Sequence, residues 1–310
     1  MKQLRTMRPA ALVAIAGSFL AAALNAQTAE IETLHVQGNV YALFGGGGNV
    51  TVQTGPEGVL LVDTGLADSA PKLMAAIRKL SPGAVRYVIN THVHPDHTGG
   101  NAALVKLGAT PEMPGPARVI AHLNVMDRMS TPAPGEPAVP ATDWPNDTYS
   151  TPYKDLFFNG EAVFITHIPS AHTDGDSIVF FRKSDVLAVG DLFMPDLYPF
   201  IDLARGGSVN GLIAGLNKIL EIAVPAKYQE GGTMIVPGHG RLCDEADLVE
   251  YRDMVTIVRD RIQDLMKQGK TLDQVKAARP SRDYDTQYAP QGASVSADAF
   301  VESIYRSLKP

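Results

Sequence analysis

Between residues 92 and 97 the chain reads His-Val-His-Pro-Asp-His, three imidazoles and one carboxylate in six positions. The run follows an apolar stretch at residues 87–90 that reads as a strand. Pro95 has no backbone N–H to give to a sheet ladder, so the chain must turn there. A polar cluster this dense at a strand end calls for a fold that brings other strand ends to the same place. Three such ends carry matching residues. His172 follows the strand-like run 162–168 and precedes Thr173-Asp174-Gly175-Asp176. Asp191 follows the run 186–189 and sits beside Gly190. His239 lies in Pro237-Gly238-His239-Gly240, directly after the run 234–236. Any one of these, taken alone, reads as a structural residue. Together with the 92–97 run they read as one site, because chemistry in α/β folds gathers at strand ends. Neutral imidazole and carboxylate are zinc ligands, and no thiolate is needed.

The rest of the chain alternates. Short β-rich runs at 40–44, 49–53 and 59–62 come first, with Gly45 to Gly48 as a tight, flexible hairpin loop. A helix is predicted over 68–80, where Leu73, Ile77 and Leu80 share a stripe with Met74 beside them. Residues 118–121 form another predicted strand. The second half repeats the rhythm, with strands at 162–168, 177–181, 186–189 and 234–236. Its helix over 209–223 is marked by Val209, Leu212, Ile213, Leu216, Ile219 and Leu220. Residues 247–266 turn helical and polar, and Phe300, Ile304 and Leu308 form a stripe suited to docking on the body. Alternating strands and helices in two comparable halves predict a layered α/β fold, sheets inside and helices outside. The segment 130–153 shows neither period. It is rich in proline, carries the lone Trp144, and reads either as a lid or as a disordered insertion.

Composition narrows the function. The 310 residues are 45% hydrophobic and 19% charged, which suits a sizeable core and excludes disorder. With 27 basic and 33 acidic residues the net charge is −6, and no nucleic-acid partner is expected. The single cysteine, Cys243, excludes an intrachain disulfide and a Cys-rich zinc module, and reads as a buried structural residue. Residues 1–26 combine a basic start (Lys2, Arg5, Arg8), an uncharged run from Pro9 to Leu24 and a small residue, Ala26. That is the three-part pattern of a signal peptide. The run is short of the ~20 apolar residues that a spanning helix needs. Cleavage would remove three cations, leaving 24 basic against 33 acidic residues, or −9. The expectation is an exported chain, periplasmic or secreted, with no stable membrane insertion.

With these residues in view, the chain resembles the metallo-β-lactamase fold superfamily over about residues 34–243. The resemblance is carried by the Val62-Asp63-Thr64-Gly65 strand end, the 91–97 motif, His172, the Gly190-Asp191 pair and His239. It implies a four-layer αββα sandwich over residues 27–245, with a C-terminal helical extension, 246–310, packed on the same domain. It implies two zinc ions between the sheets, with iron and manganese as the alternatives. His92, His94 and His172 would hold one ion, Asp96, His97 and His239 the other, and Asp191 would bridge them. Asp96 and Asp191 are the implied catalytic residues, Asp96 orienting the nucleophile or shuttling a proton. Asp63 would tie the imidazoles in place. Zinc lowers the pKa of a bound water from 15.7 to about 7, so the resemblance implies hydrolysis of a small-molecule substrate.

Two positions depart from the best-known β-lactamase subclass. Asp191 stands where that subclass has cysteine, and Met194 where it has a substrate-gripping lysine. An aspartate there is instead the pattern of glyoxalase II, of acyl homoserine lactonases and of tRNA-processing nucleases. Arg205 either replaces the lysine, if the loop 198–207 folds back, or lies at the surface. The expected function is opening of a cyclic amide or ester, as in a β-lactam or lactone. A glyoxalase II-like thioester hydrolase is the alternative, and export weighs against it. Export and acidic charge weigh against a nuclease. The full ligand set weighs against an iron-dependent oxygenase and against a metal-stabilised binding module. The sequence sets no oligomeric state.

Overall fold

The computed structural model describes residues 30–111, 115–132 and 135–309. The signal segment expected at 1–26 lies outside the described residues. Seven strands form one sheet in chain order: β1 (Glu32–Gln37), β2 (Val40–Phe44), β3 (Val50–Gly55), β4 (Gly58–Val62), β5 (Val85–Ile89), β6 (Arg118–His122) and β7 (Asp147–Tyr149). The first four are an antiparallel meander, and β4 to β7 run parallel. Five strands form the second sheet: β8 (Tyr153–Phe158), β9 (Glu161–His167), β10 (Ser177–Phe181), β11 (Val186–Ala188) and β12 (Met234–Val236). Their order is β12-β11-β10-β9-β8, antiparallel except for the parallel β11–β12 pair.

The helices are α1 (Ala70–Leu80), α2 (Pro95–Thr98), α3 (Asn101–Gly108), α4 (Leu123–Ser130), α5 (Val209–Ile222), α6 (Glu245–Lys267), α7 (Leu272–Ala278), α8 (Asp285–Tyr288) and α9 (Ala297–Ser307). Alternation along the strands sorts side chains into layers. Leu60, Val62, Ile89 and Ile120 of the first sheet meet Val163, Ile165, Val179 and Ala188 of the second in one core between the sheets. Val59, Leu61, Val85 and Val88 point the other way and pack under Leu73 and Ile77 of α1 and Leu104 of α3. Ile178, Leu187 and Ile235 pack under α5, α6 and α9 on the opposite side. The four layers are therefore helix, sheet, sheet, helix. β4 is buried at every position because helices cover one face and the second sheet the other. Each fully buried Leu or Val there contributes about 1.5–3 kcal/mol.

The helices after residue 245 join the same core as α5. Tyr251, Val255 and Val258 of α6 and Phe300 and Ile304 of α9 are buried with Leu212 and Leu216. Helix α6 starts at a reciprocal cap: Asp244 accepts from the backbone of Ala246 and Asp247, and Asp247 accepts from the Asp244 N–H. Among the described residues no helix is long and apolar enough to cross a membrane. Cys243 is buried, and its backbone pairs with Ile235.

The segment 130–153 is not a disordered insertion throughout, since its described residues include a strand and a packed tryptophan. Residues 133 and 134 lie outside the described residues, but β7 adds the seventh strand to the first sheet. Trp144 is half-buried against Ala121, Val125 and Met129, with its indole N–H on the Val139 carbonyl at 3.0 Å. Asp143 accepts from the Ala102 N–H near the start of α3. This stretch is tied to the body by strand pairing and side-chain packing, neither of which leaves a period in so short a run.

Candidate metal centre

The 92–97 run leaves the C-terminal end of β5, and His97 falls in the single turn of α2 that Pro95 opens. His172 lies between β9 and β10, Asp191 follows β11 and His239 follows β12, so two sheets converge on one point. The ligand atoms of His92, His94, His172 and Asp191 lie within 4.8 Å of one another, as do those of Asp96, His97 and His239. Asp191 reaches both groups. Its Oδ2 is 3.8 Å from His92 Nε2 and 3.6 Å from His172 Nε2, and its Oδ1 is 3.1 Å from His97 Nε2 and 3.6 Å from His239 Nε2. All seven sequence-predicted residues are thus brought together.

Four of the imidazoles are oriented from behind. His97 Nδ1 donates to Asp63 Oδ2 at 2.7 Å, and His172 Nδ1 donates to the Phe200 carbonyl at 2.6 Å. His92 Nδ1 lies 3.0 Å from the Thr91 hydroxyl, which donates onward to Asp63 Oδ2 at 2.7 Å. His94 is turned round: its Nε2 meets Asp202 Oδ2 at 3.0 Å, so Nδ1 faces inward. These partners fix the tautomers of the neutral rings and leave the inward nitrogens of His92, His94 and His172 with a lone pair. His94 Nδ1 then stands 3.1 Å from His92 Nε2 and 2.9 Å from His172 Nε2. Lone pairs facing at those distances repel unless a cation lies between them. Burial, reinforced by neighbouring histidines, holds His92 well below its ordinary value and His172 at about 4, which keeps both neutral as ligands must be.

The second group carries more negative charge. Burial works against protonating His97, but Asp191, Asp63 and Asp96 outweigh it and raise its pKa. His239 behaves likewise through Asp191 and Asp96. Burial opposes ionisation of Asp96, yet His97 and His239 hold its carboxyl at about 2. Asp191 is held well below the carboxylate range by His97, His239 and His92, against the same burial. Asp191 Oδ1 is buried and, among the described residues, makes no well-directed hydrogen bond, with His97 Nε2 beside it at 3.1 Å. An ionised buried oxygen in that state is costly unless a ligand satisfies it. The orphan oxygen, the facing nitrogen lone pairs and the imidazole–carboxylate chemistry all fit a divalent metal ion.

Close backbone approach makes the geometry feasible. A Cβ at Gly238 would lie 2.0 Å from Asp191 Oδ1, and one at Gly48 would lie 2.5 Å from the His97 ring. The Gly45 to Gly48 loop is therefore a fitted part of the site and not a free hairpin tip; its Gly48 N–H donates to the Asp96 carbonyl at 3.0 Å. Asn49 pins the His239 loop, donating to the carbonyls of Pro237 and Gly240 at 2.9 and 3.0 Å.

No periodicity or motif in the sequence marks Asp202, Phe200 or Asn49, whereas Arg205 and a folded-back loop 198–207 are sequence expectations. The loop 198–207 folds back over His94 and His172, and Arg205 is half-buried, donating to Asp202 Oδ2 at 2.7 Å. The C-terminal helices hold this loop. Tyr198 stacks on Phe300 at 4.4 Å between ring centroids and donates to Asp285 Oδ1 at 2.9 Å. Met194 is buried and carries no charge. Cys243 is outside both ligand groups, and burial pushes its thiol up to about 12.

Comparison with known proteins bears on the fold and the family. The model of the metallo-beta-lactamase superfamily matches residues 43–240. A curated relative, the linear primary-alkylsulfatase of Pseudomonas sp. (strain ATCC 19151), is 24% identical over 262 residues, covering 71% of this chain and 47% of its own. A solved stereoselective inverting sec-alkylsulfatase from Pseudomonas sp. superposes with a TM-score of 0.66 at 18% identity, over 89% of this chain and 50% of that one. A metallo-beta-lactamase from Pontibacter korlensis gives a TM-score of 0.57 at 17% identity, over 73% of this chain and 99% of that one. The chain spans about half the length of both alkylsulfatases, and at these identities the structural likenesses establish the fold alone.

Proposed function

Because the chain belongs to the metallo-beta-lactamase superfamily, we propose that it is a metal-dependent hydrolase of a small molecule, cleaving an ester or opening a cyclic amide or ester. The observation that carries this reading is Asp191, whose two oxygens face the two ligand groups while one of them lacks a well-directed hydrogen bond. His92, His94 and His172 would hold one ion, Asp96, His97 and His239 a second, and Asp191 would join them. Imidazole and carboxylate donors suit zinc. Bound metal supplies Lewis acidity and an acidified water at neutral pH.

The chain's own residues do the rest. Asp96, ionised at neutral pH, can only accept, so it orients a water or takes its proton at Oδ2, the atom 3.1 Å from His239 Nε2. Asp63 and Thr91 keep the His97 and His92 rings in register, and Asp202 and the Phe200 carbonyl do so for His94 and His172. In the reaction, water oxygen bonds to the carbonyl carbon, the C–O or C–N bond breaks, and the leaving atom takes up a proton. The basic start and uncharged run of residues 2–24 support export as part of the same reading.

A second reading is hydrolysis of a sulfate ester. It is favoured by the curated relative, a linear primary-alkylsulfatase that is 24% identical over 262 residues. The test is kcat/KM of the metal-loaded protein for a chromogenic cephalosporin, an acyl homoserine lactone, S-lactoylglutathione and octyl sulfate under one condition. Turnover of the cephalosporin or lactone supports the first reading. Dominant turnover of octyl sulfate selects the second, and dominant thioester turnover selects the glyoxalase II-like alternative. A fully loaded protein inert toward all four contradicts the proposal.

A further inference from the structure

The outer partners of the two ligand groups come from different parts of the chain. In the first group, His94 Nε2 meets Asp202 Oδ2 at 3.0 Å and His172 Nδ1 donates to the Phe200 carbonyl at 2.6 Å. Both partners lie on the loop 198–207. In the second group, Asp63 at the end of β4 holds His97, and Asn49 just before β3 holds the His239 loop. Those two residues flank strands of the first sheet. The loop 198–207 is instead slung between two points of the C-terminal extension. At its start the Tyr198 N–H donates to the Tyr288 carbonyl at 2.9 Å. The Tyr198 hydroxyl donates to Asp285 Oδ1 at 2.9 Å, with the Ser281 carbonyl at 3.1 Å. The ring stacks on Phe300 of α9, with 18° between the planes. Just past the loop's end, the Val209 N–H at the start of α5 donates to Ser307 Oγ of α9 at 2.9 Å. Between those anchors the loop bears directly on a candidate ligand, the Asp202 N–H donating to the His172 carbonyl at 2.9 Å. Tyr198 and Phe300 are fully buried, so a change at Phe300 reaches the loop through close packing.

We propose that the C-terminal extension sets the metal affinity of the first ligand group alone, with Phe300 and Tyr198 as positioning residues that act through Phe200 and Asp202 on His172 and His94. The inference rests on the metal-binding part of the hydrolase reading and not on any substrate. An imidazole whose outer partner drifts loses the aim of its inward nitrogen. Direct loss of such a partner costs about 10- to 100-fold in metal affinity. Phe300 acts one step further out, so its effect is smaller, about three- to tenfold. The second group takes its outer partners from the first sheet and is left as it was.

The test is zinc affinity of the full-length protein, by chelator competition, in two backgrounds. His239→Gln leaves the first group complete, and His94→Gln leaves the second. Phe300→Leu should weaken zinc binding about three- to tenfold in the His239→Gln background. In the His94→Gln background it should change binding by less than about twofold, as for independent sites. Val275→Ala, a truncation in α7 within the same buried cluster, gauges general loosening and should leave both affinities within about twofold. Equal losses in the two backgrounds, an equal loss with Val275→Ala, or no loss in the His239→Gln background overturns the proposal. If Phe300→Leu does not fold, or a single-group background binds no zinc, Tyr198→Phe and Ser307→Ala with every ligand present decide. Proton–nitrogen correlation spectra of the histidine rings in the zinc-loaded protein should then change at His94 and His172 and not at His97. Unchanged spectra, or an equal change at His97, overturn the proposal. A parent that binds no zinc removes the hydrolase reading and this inference together, whereas zinc binding that is indifferent to these variants removes this inference alone.

Discussion

Replacing Asp63 by Asn removes one charge and almost no volume at a point that orients two candidate ligands at once. Asp63 has φ 64°, a left-handed conformation in which Asn is among the best tolerated residues, so the backbone need not move. The carboxylate accepts three donors at 2.7 Å: the Thr91 N–H, the Thr91 hydroxyl and His97 Nδ1. An Asn amide can accept on one atom only. If its oxygen keeps the Thr91 N–H, its NH2 faces His97 Nδ1, and the favoured tautomer of His97 inverts. Nε2 then carries the proton and cannot ligate. The Thr91 hydroxyl loses its acceptor too, which frees His92 to rotate. Losing an outer partner of this kind costs about 10- to 100-fold in metal affinity. That is about 1.4–2.7 kcal/mol, and a second affected ligand puts the expectation at the upper end. The assay is competition against a metallochromic chelator at pH 7.5, with apo-protein melting as the control. Metal affinity within twofold of the parent would refute the claim that Asp63 sets the His97 tautomer.

Three further perturbations test other parts of the account. Asp191→Ala should lower metal stoichiometry and cut turnover by at least about 100-fold, and the apo variant should also melt below the parent because His97 and His239 lose the carboxylate that faces them; parental metal content and turnover in the variant would show that Asp191 does not join the two ligand groups. His122, stacked on His167 at 3.6 Å, is pushed down to about 4 by burial and by that neighbour. Its folded pKa lies below its unfolded one, so the unfolded chain binds the extra proton and stability falls as pH drops from about 6.5 towards 4, by at most about 3 kcal/mol; His122→Gln should flatten the urea-midpoint profile in that window, and an unchanged profile would sink the assignment. Gly238→Ala would place its Cβ 2.0 Å from Asp191 Oδ1 and 2.6 Å from the Gly190 backbone, so it should destabilise by about 1–3 kcal/mol and weaken metal binding together; normal melting with normal metal content would contradict the close approach.

Much of this site is legible in the chain because strand ends bearing His or Asp stand out against apolar runs. His92, His94, His172, Asp191 and His239 each follow such a run, and β4, β9 and β10 carry continuous or alternating apolar residues. Long-range partners leave no such trace. Asp202 is identified by the approach of a loop that Phe300 and Asp285 hold from the C-terminal helices, and nothing local to residues 198–207 encodes that contact. Strand β8 escaped for a different reason: Tyr153 and Phe157 face outward and Lys154 is half-buried, which blurs its alternation. Strand β7 is only three residues long, too short for any period. Helix α4 shows its Val125 and Met129 pair one turn apart, a signal that was present but short. The glycine loop 45–48 reads as a flexible tip until His97 and Asp96 are placed against it.

The central claim is that two ligand groups joined by Asp191 hold the ions that make this chain a hydrolase. Metal-free protein titrated with zinc, with bound metal and hydrolysis followed in the same samples, tests it most directly. The account predicts saturation near two ions per chain, with turnover appearing as the sites fill and vanishing on chelation. Saturation at a single ion, no binding at all, or full turnover in metal-free protein would contradict it.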